Sequence, residues 1–219
     1  MLTELSSLRE ILDQVESKKR CNVCPLKEME PLIFKPGKGV KVILVTEGPG
    51  EKWGKQMKID ADHVLSILNK TLYPYIYTLF SGRFEPKGPQ ANVYWTHVRK
   101  CFLDGKTKRE ATKALKICRK AYLRDEIESV RPKLILAVGG RAFEFFCRYD
   151  ERLKGRYLDL FTKQVNDIFR NVRIGEMTFD LALVPHPSGR SRFWNWQEVS
   201  PGKAFEIFDL VIKALGMVE

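Results

Sequence analysis

Long hydrophobic runs are missing from this sequence. No apolar stretch approaches the roughly 18–20 residues that a membrane-spanning helix needs. Residues 1–20 are amphipathic and carry acidic side chains, and they lack the basic start, apolar middle and small-residue cleavage site of a secretory signal. We therefore expect a cytoplasmic protein that has no membrane partner.

Cysteine is also scarce, and its count is odd. Five cysteines occur among 219 residues, and an odd number in a cytoplasmic protein argues against a disulfide framework and favours metal or cluster ligation. Internal repeats and low-complexity segments are absent. The chain is long enough for one sizeable core but short for two. We expect one domain over residues 1–219, with an N-terminal helix and a cysteine hairpin (about 1–30) packed on it.

Acidic residues are too few to balance the basic ones. Lysine and arginine total 38 against 27 aspartate and glutamate, which gives a net charge of +11. A basic excess favours polyanionic partners, because each phosphate neutralised by lysine or arginine releases condensed counterions. The excess is spread along the chain and forms no terminal tail. On charge alone, nucleic acid is only slightly favoured over a solvated basic surface without a partner.

Short apolar runs alternate with helical patterns along the chain. The runs predict buried strands at residues 40–46, 91–97, 133–138 and 181–184. Apolar residues at helical spacing predict helices at residues 4–18, 61–79, 108–128 and 202–215, a weaker one at 155–170, and another that carries Ala142, Phe145 and Phe146. This alternation predicts an α/β fold, a three-layer α/β/α sandwich around a four-stranded parallel sheet. Ligands of such sheets bind beyond the carboxyl ends of the strands, where the loops converge.

Four of the cysteines fall into two groups. Cys21 and Cys24 form a C-x2-C pair, whereas Cys101 and Cys118 lie far downstream beside basic residues, which favour thiolates. The four side chains suit either a tetrahedral zinc ion or a [4Fe–4S] cluster, and their spacing does not separate the two. The alternative is that Cys101 and Cys118 are small buried core residues that bind no metal. We expect that role for Cys147, which lies in an apolar helical stretch.

Five short motifs follow one another in a specific order. They are C-x2-C-P at Cys21, T-E-G-P-G-E at Thr46, T-H-V-R-K-C at Thr96, the stretch Cys118–Gly139, and H-P-S at His186. Any one of them is a modest signal, and their combination is quite specific. Together they resemble the bacterial and archaeal uracil-DNA glycosylases that carry a [4Fe–4S] cluster, and the resemblance extends over most of the chain.

This resemblance implies the uracil-DNA glycosylase fold and an enzyme of base excision repair. Such an enzyme flips a damaged or modified base out of DNA and hydrolyses its N-glycosidic bond, which leaves an abasic site. No lysine is placed by motif as a Schiff-base nucleophile, so we expect a monofunctional glycosylase, and we expect it to be a monomer. The implied cofactor is a structural [4Fe–4S] cluster, with zinc as the alternative, and its ligands are Cys21, Cys24, Cys101 and Cys118.

Three alternatives stand beside this hypothesis. One is a catalytically weak DNA-binding member of the superfamily, which recognises a modified base without cutting it. Another is a glycosylase that acts on a base other than uracil, in defence against modified phage DNA. The third is an unrelated α/β protein that binds nucleotides and holds zinc or a cluster, and it applies if the resemblance misleads.

The loop after the first predicted strand carries candidate catalytic and base-binding residues. Its glycines let the backbone approach a ligand closely, and backbone N–H groups at the start of the next helix could bind an oxygen of the base. Glu47 or Glu51 could position the attacking water or stabilise the cationic sugar, although a plain strand-to-helix turn with exposed acids has the same pattern. The candidate base-binding residues here are Gly48, Pro49 and Gly50.

The loop after the fourth predicted strand begins at His186, which stands between two prolines. The resemblance implies that His186 is catalytic and stabilises the anionic base as a neutral hydrogen-bond donor. In the segment that follows, Ser188 and Ser191 would hold phosphates, and Arg190 would fill the gap that the flipped nucleotide leaves. The candidate DNA-binding residues are Ser188, Gly189, Arg190, Ser191 and Arg192.

Base recognition departs from the pattern of the family, which implies a divergent pocket. His97 stands where the family has an asparagine that reads the base edge, and Trp53 is the candidate stacking face in place of a phenylalanine. An asparagine both donates and accepts with uracil, whereas a histidine offers one donor and one acceptor at other angles. The departures favour a different target, such as a deaminated purine or a phage-type modified pyrimidine.

Overall fold

The computed structural model describes residues 7–34, 36, 39–49, 92–154, 168–186 and 201–216. Within them, five strands form one sheet, and helices pack on both of its faces. In chain order the elements are α1 (Leu8–Glu16), β1 (Val42–Thr46), β2 (Val93–His97), α2 (Lys108–Cys118), a π-helical turn (Arg119–Leu123), α3 (Arg124–Val130), β3 (Leu134–Val138), α4 (Gly140–Phe146), a 3-10 turn (Glu151–Leu153), β4 (Ile168–Ile174), β5 (Met177–Val184) and α5 (Pro201–Leu215). None of these helices is long and apolar enough to cross a lipid bilayer.

The sheet has the strand order β2-β1-β3-β5-β4, in which the first four strands are parallel. Every residue of β1, β2 and β3 is buried, as expected for parallel strands that are covered on both faces. Alternate side chains enter opposite layers: Leu44 and Trp95 pack with α5, whereas Ile43 and Tyr94 pack with the helices of the other face. The predicted three-layer α/β/α sandwich is therefore confirmed.

The predicted number of strands was wrong. A fifth strand, β4, pairs antiparallel with β5 at the edge of the sheet, so the sheet is mixed. Residues 168–170, assigned to a weak helix from the sequence, open this strand. Gly175, with φ of +59°, and Glu176 form the two-residue turn between β4 and β5. The rest of that predicted helix, residues 155–167, lies outside the described residues, as does the predicted helix at 61–79.

The predicted helix at 108–128 is present, but a π-helical turn divides it. Thr107 caps α2 in a reciprocal capping box with Glu110. The helix then passes through the π turn into α3, which ends at Arg131 in the left-handed conformation (φ 51°). The π turn buries Tyr122, whose hydroxyl accepts a hydrogen bond from Arg20 N (2.9 Å) and lies 3.6 Å from Cys21 Sγ.

The N-terminal segment packs on the side of the sheet that carries α2 and α3. Ser7 and Glu10 form a capping box at the start of α1, and α1 packs against α3. Farther along, Leu32 N donates to Lys100 O (2.9 Å), and Pro31 forms an isolated antiparallel bridge with Cys101. These backbone contacts hold the Cys21–Cys24 region beside the end of β2.

Candidate active site

Three loops meet at a cavity of about 300 Å³ at the carboxyl edge of the sheet. Glu47 follows β1, Gly139 follows β3 and His186 follows β5, and these three strands are neighbours in the sheet. Their loops therefore open on the same side, as expected for parallel strands. The described residues that line the cavity are Glu47, Val138, Gly139, Gly140, Arg141, Glu144 and His186.

A glycine turn at the end of β3 positions His186. Gly139 has φ of +84°, and its N–H donates to Val184 O (2.7 Å). A β-carbon at position 139 would lie 3.3 Å from the β-carbon of His186. Both the backbone conformation and the close approach therefore favour glycine, and the imidazole packs over the turn.

The imidazole of His186 is held in its neutral form. Burial lowers the pKa of His186 from its usual value, and the negative charge of Glu47 offsets part of that effect. Glu47 and His186 also line the same cavity. A neutral imidazole offers one N–H donor and one acceptor to a molecule in the cavity.

The Glu47 loop is held by the segment that follows β2. Val98 N donates to Thr46 O and Arg99 N donates to Glu47 O, each at 2.9 Å. The segments that follow β1 and β2 therefore continue the backbone pairing beyond the two strands. Glu47 is exposed, whereas Pro49 is buried. The guanidinium of Arg99 covers Gly48, where an added β-carbon would lie 2.5 Å from Arg99 Nη2.

Arg99 links this loop to the cysteines. Its side chain is almost completely buried, and its Nη1 donates to Cys101 O. Burial lowers the pKa of Arg99, whereas the charges of Glu47, Cys118 and Cys101 raise it. One guanidinium therefore lies within electrostatic reach of both the cavity loop and two thiols. The sequence motif R-K-C signalled a cation beside a cysteine, but it did not signal this bridging position.

His97 lies beneath the rim, and it is not among the described residues that line the cavity. Its side chain is only 1% exposed. The Nδ1 atom lies 2.5 Å from Thr46 Oγ1, which also accepts from Trp95 Nε1 (3.1 Å). Burial lowers the pKa of His97 strongly, and the charges of Lys100 and Arg99 lower it further. Within the described part of the chain, Nε2 is buried without a hydrogen-bond partner.

Four cysteines are the candidate ligands of a cofactor, and three of them, Cys21, Cys24 and Cys101, pack in one buried cluster. All four are buried and free of disulfides, and they come from the N-terminal segment, the end of β2 and the end of α2. The interaction between the Cys24 and Cys118 side chains lowers the pKa of Cys24 and raises that of Cys118. Burial raises the pKa of Cys101 to about 12, and the charges of Cys21 and Cys24 add to the effect.

Among the residues that the structure describes, no group of three or more His, Cys, Asp or Glu side chains is arranged to hold one metal ion. Cys147 lies apart from the four: its thiol donates to Phe143 O within α4 (3.6 Å), and the side chain is half-buried against the core.

A buried ion pair lies between the cysteines and the sheet. Lys100 Nζ lies 2.7 Å from Glu126 Oε1, and their side chains are 2% and 0% exposed. Thr96 Oγ1 and Tyr94 OH also donate to Glu126 Oε2. The sequence analysis missed this network, although Glu126 lies within the stretch Cys118–Gly139 that contributes to the resemblance.

The other candidate residues lie outside the described part of the chain. Their contacts with the cavity therefore stay predictions. They are Gly50, Glu51, Trp53, Ser188, Gly189, Arg190, Ser191 and Arg192.

One comparison with known proteins identifies the family. The sequence model described as Uracil DNA glycosylase superfamily matches residues 34–215. The match contains all five strands of the sheet, the cavity residues Glu47 and His186, and the downstream cysteines Cys101 and Cys118. It leaves Cys21 and Cys24 outside. Because the match covers most of the chain, the protein belongs to the uracil DNA glycosylase superfamily.

Proposed function

We propose that this chain is a monofunctional DNA glycosylase, which flips a damaged or modified base out of DNA and hydrolyses its N-glycosidic bond. Membership of the superfamily indicates a DNA glycosylase, and members of the family act on DNA. The observation that carries the finer proposal is the meeting of Glu47 and His186 at one cavity. Its volume, about 300 Å³, lies at the lower end of the range for ligand pockets, which suits a single base.

The two side chains suit the charges that develop when the bond breaks. Cleavage builds positive charge on the deoxyribose and negative charge on the departing base. The Glu47 carboxylate can stabilise the sugar cation or position the attacking water, and neutral His186 can donate a hydrogen bond to the base. Arg99 N holds the backbone of Glu47, and the His186 ring packs on the Gly139 turn, and such positioning before reaction is what electrostatic stabilisation requires.

For the cofactor we propose a [4Fe–4S] cluster held by Cys21, Cys24, Cys101 and Cys118. Four buried thiols from three segments supply the donor set that such a cluster needs. A tetrahedral zinc ion is the alternative, since Zn²⁺ also takes four cysteine ligands. The cluster would brace the N-terminal segment against the ends of β2 and α2.

The proposed target is uracil, a deaminated purine or a phage-type modified pyrimidine, and His97, whose side chain is only 1% exposed, lies beneath the rim of the cavity that would receive it. An indole N–H can only donate, so Trp95 Nε1 donates to Thr46 Oγ1. In the simplest assignment the Thr46 hydroxyl then donates its own hydrogen to His97 Nδ1. The proton of the neutral ring then lies on Nε2.

A panel of oligonucleotides tests the proposed function. Each duplex carries one uracil, hypoxanthine, xanthine or hydroxymethylated pyrimidine, and alkali cleaves the strand wherever a base has been removed. We expect strand breakage only after alkali and only for some of these bases. Tight binding to one lesion without breakage would favour a DNA-binding member that does not cut, and breakage before alkali would contradict a monofunctional enzyme.

A further inference from the structure

One side of α2 carries a row of cations. Lys108, Arg109, Lys113 and Lys116 are all exposed, and together with Thr112 they line a groove of about 620 Å³. They occupy helical positions i, i+1, i+5 and i+8, which lie on one side of a helix. The opposite side of α2 is buried through Ala114, Leu115 and Cys118.

Nothing in the described part of the chain neutralises this row. None of the four cations forms an ion pair there, and the nearby acid, Glu110, is engaged with Thr107 and Lys106. Like charges one turn apart destabilise a helix. Lys108 and Arg109 also lie in the first turn, where the helix dipole favours negative charge. The arrangement is therefore unfavourable for the helix alone, and an external anion would relieve it.

The first turn of the row lies at the same end of the sheet as the proposed reaction site. The chain leaves β2 at its carboxyl end and returns to β3 at its amino end through α2 and α3. The first turn of α2 is thus on the side of the sheet where Glu47 and His186 meet.

We propose that this basic face of α2 binds the phosphates of one strand of duplex DNA beside the extruded nucleotide. The inference depends on the proposed function for the identity of its partner. From Lys108 to Lys116 the helix rises about 12 Å, and one DNA strand presents a phosphate every ~3.4 Å along the axis, so the row can reach about three phosphates. These contacts carry no sequence information, and they anchor the duplex while the loops act on one base.

The salt dependence of DNA binding tests this surface. The logarithm of the association constant is measured against the logarithm of salt concentration for wild type and for K108Q/K116Q, on an undamaged duplex. We expect the slope to become shallower by about 1.8, which is ~0.9 for each lost phosphate contact. Glutamine forms helices as readily as lysine, and the charge-retaining variant K108R/K116R is expected to keep the wild-type slope.

A matched variant controls for net charge. Lys133 and Arg173 are exposed at the opposite edge of the sheet, where β3 begins and β4 ends, and K133Q/R173Q removes the same two charges. Its slope is expected to equal that of wild type. An unchanged slope in K108Q/K116Q, or an equal change in both double variants, would overturn the proposed surface. If the slope falls as expected but no base is released from any oligonucleotide, the surface stands and the proposed catalytic function fails.

Discussion

The guanidinium of Arg99 lies against the backbone of Gly48. A β-carbon at position 48 would be 2.5 Å from Arg99 Nη2 and 2.7 Å from Cζ, which is too close for either atom to stay in place. The same guanidinium donates to Cys101 O. Arg99 is therefore a positioning residue, because it sets the Glu47 loop relative to the cysteines without lining the described cavity.

Replacing Gly48 with alanine should disturb this arrangement. We expect G48A to push the Arg99 guanidinium or the loop itself away, and to lower the single-turnover rate of base release more than the affinity for DNA. Gly202, in the first turn of α5, has nothing within 4 Å of the position of an added β-carbon, so G202A is the matched control. Equal rates for G48A and wild type would show that the loop tolerates displacement of Arg99.

The buried ion pair of Lys100 and Glu126 should be the most sensitive polar contact of the core. E126Q leaves the Lys100 ammonium without its counter-charge, and loss of one partner from a buried pair costs about 3–5 kcal/mol. The measurement is the free energy of unfolding from urea denaturation. Glu128 on the same helix pairs with Arg124 on the surface (2.9 Å), and E128Q is expected to cost less than about 0.5 kcal/mol.

The pH dependence of stability should report the two buried histidines. Burial lowers the pKa of both His97 and His186, so the unfolded chain takes up protons more readily than the folded one. We expect the free energy of unfolding to fall as pH drops below about 6.5, the usual pKa of histidine, and to go on falling until the pH reaches the lowered values of the folded state.

His97 should account for the larger part of that loss, since its pKa is shifted more strongly. Urea denaturation at pH 7.5 and 5.5 is expected to give a smaller difference for H97N than for wild type. H186N should have a weaker effect of the same sign. A wild-type stability that is equal at the two pH values would contradict the neutral state of both rings.

Iron and sulfide analysis tests the four cysteines. We expect iron and acid-labile sulfide in the wild-type protein purified without oxygen, and a loss of both from C24S and C101S. Cys147 lies outside the group, so C147S should retain them. Stoichiometric zinc in a colourless protein would support the alternative metal, and equal iron content in all variants would remove these cysteines from the site.

The sequence predicted the strands correctly where every residue of the strand is buried. Continuous apolar runs such as those of β1 and β3 predict strands covered on both faces, and the structure has them within two residues of the expected bounds. β4 was missed because its exposed Arg170, Asn171 and Arg173 interrupt the apolar run. An antiparallel edge strand can face solvent on one side, so its run of apolar residues is interrupted and the sequence signal for a strand is weaker.

The site was only partly accessible to sequence reasoning. The rule that loops converge at the carboxyl ends of parallel strands was enough to place Glu47 and His186 on one side of the sheet. The position of Arg99 could not be predicted, because it depends on the close approach of the β1 and β2 ends. The burial of His97 was also not predicted: its place after Thr96 indicated a strand end but not the hydrogen bond to Thr46.

Single-turnover base excision by wild type, E47Q, H186A and the double variant is the most direct test of a shared site for Glu47 and His186. On whichever lesion the wild type cleaves, H186A should slow release by roughly 10²–10³-fold, as for the loss of a preorganised donor, and E47Q should slow it while DNA affinity is kept. If the two residues act on one extruded nucleotide, the double variant should be less impaired than the product of the single effects. Wild-type rates in both single variants, or release of no base by the wild type, would contradict the account.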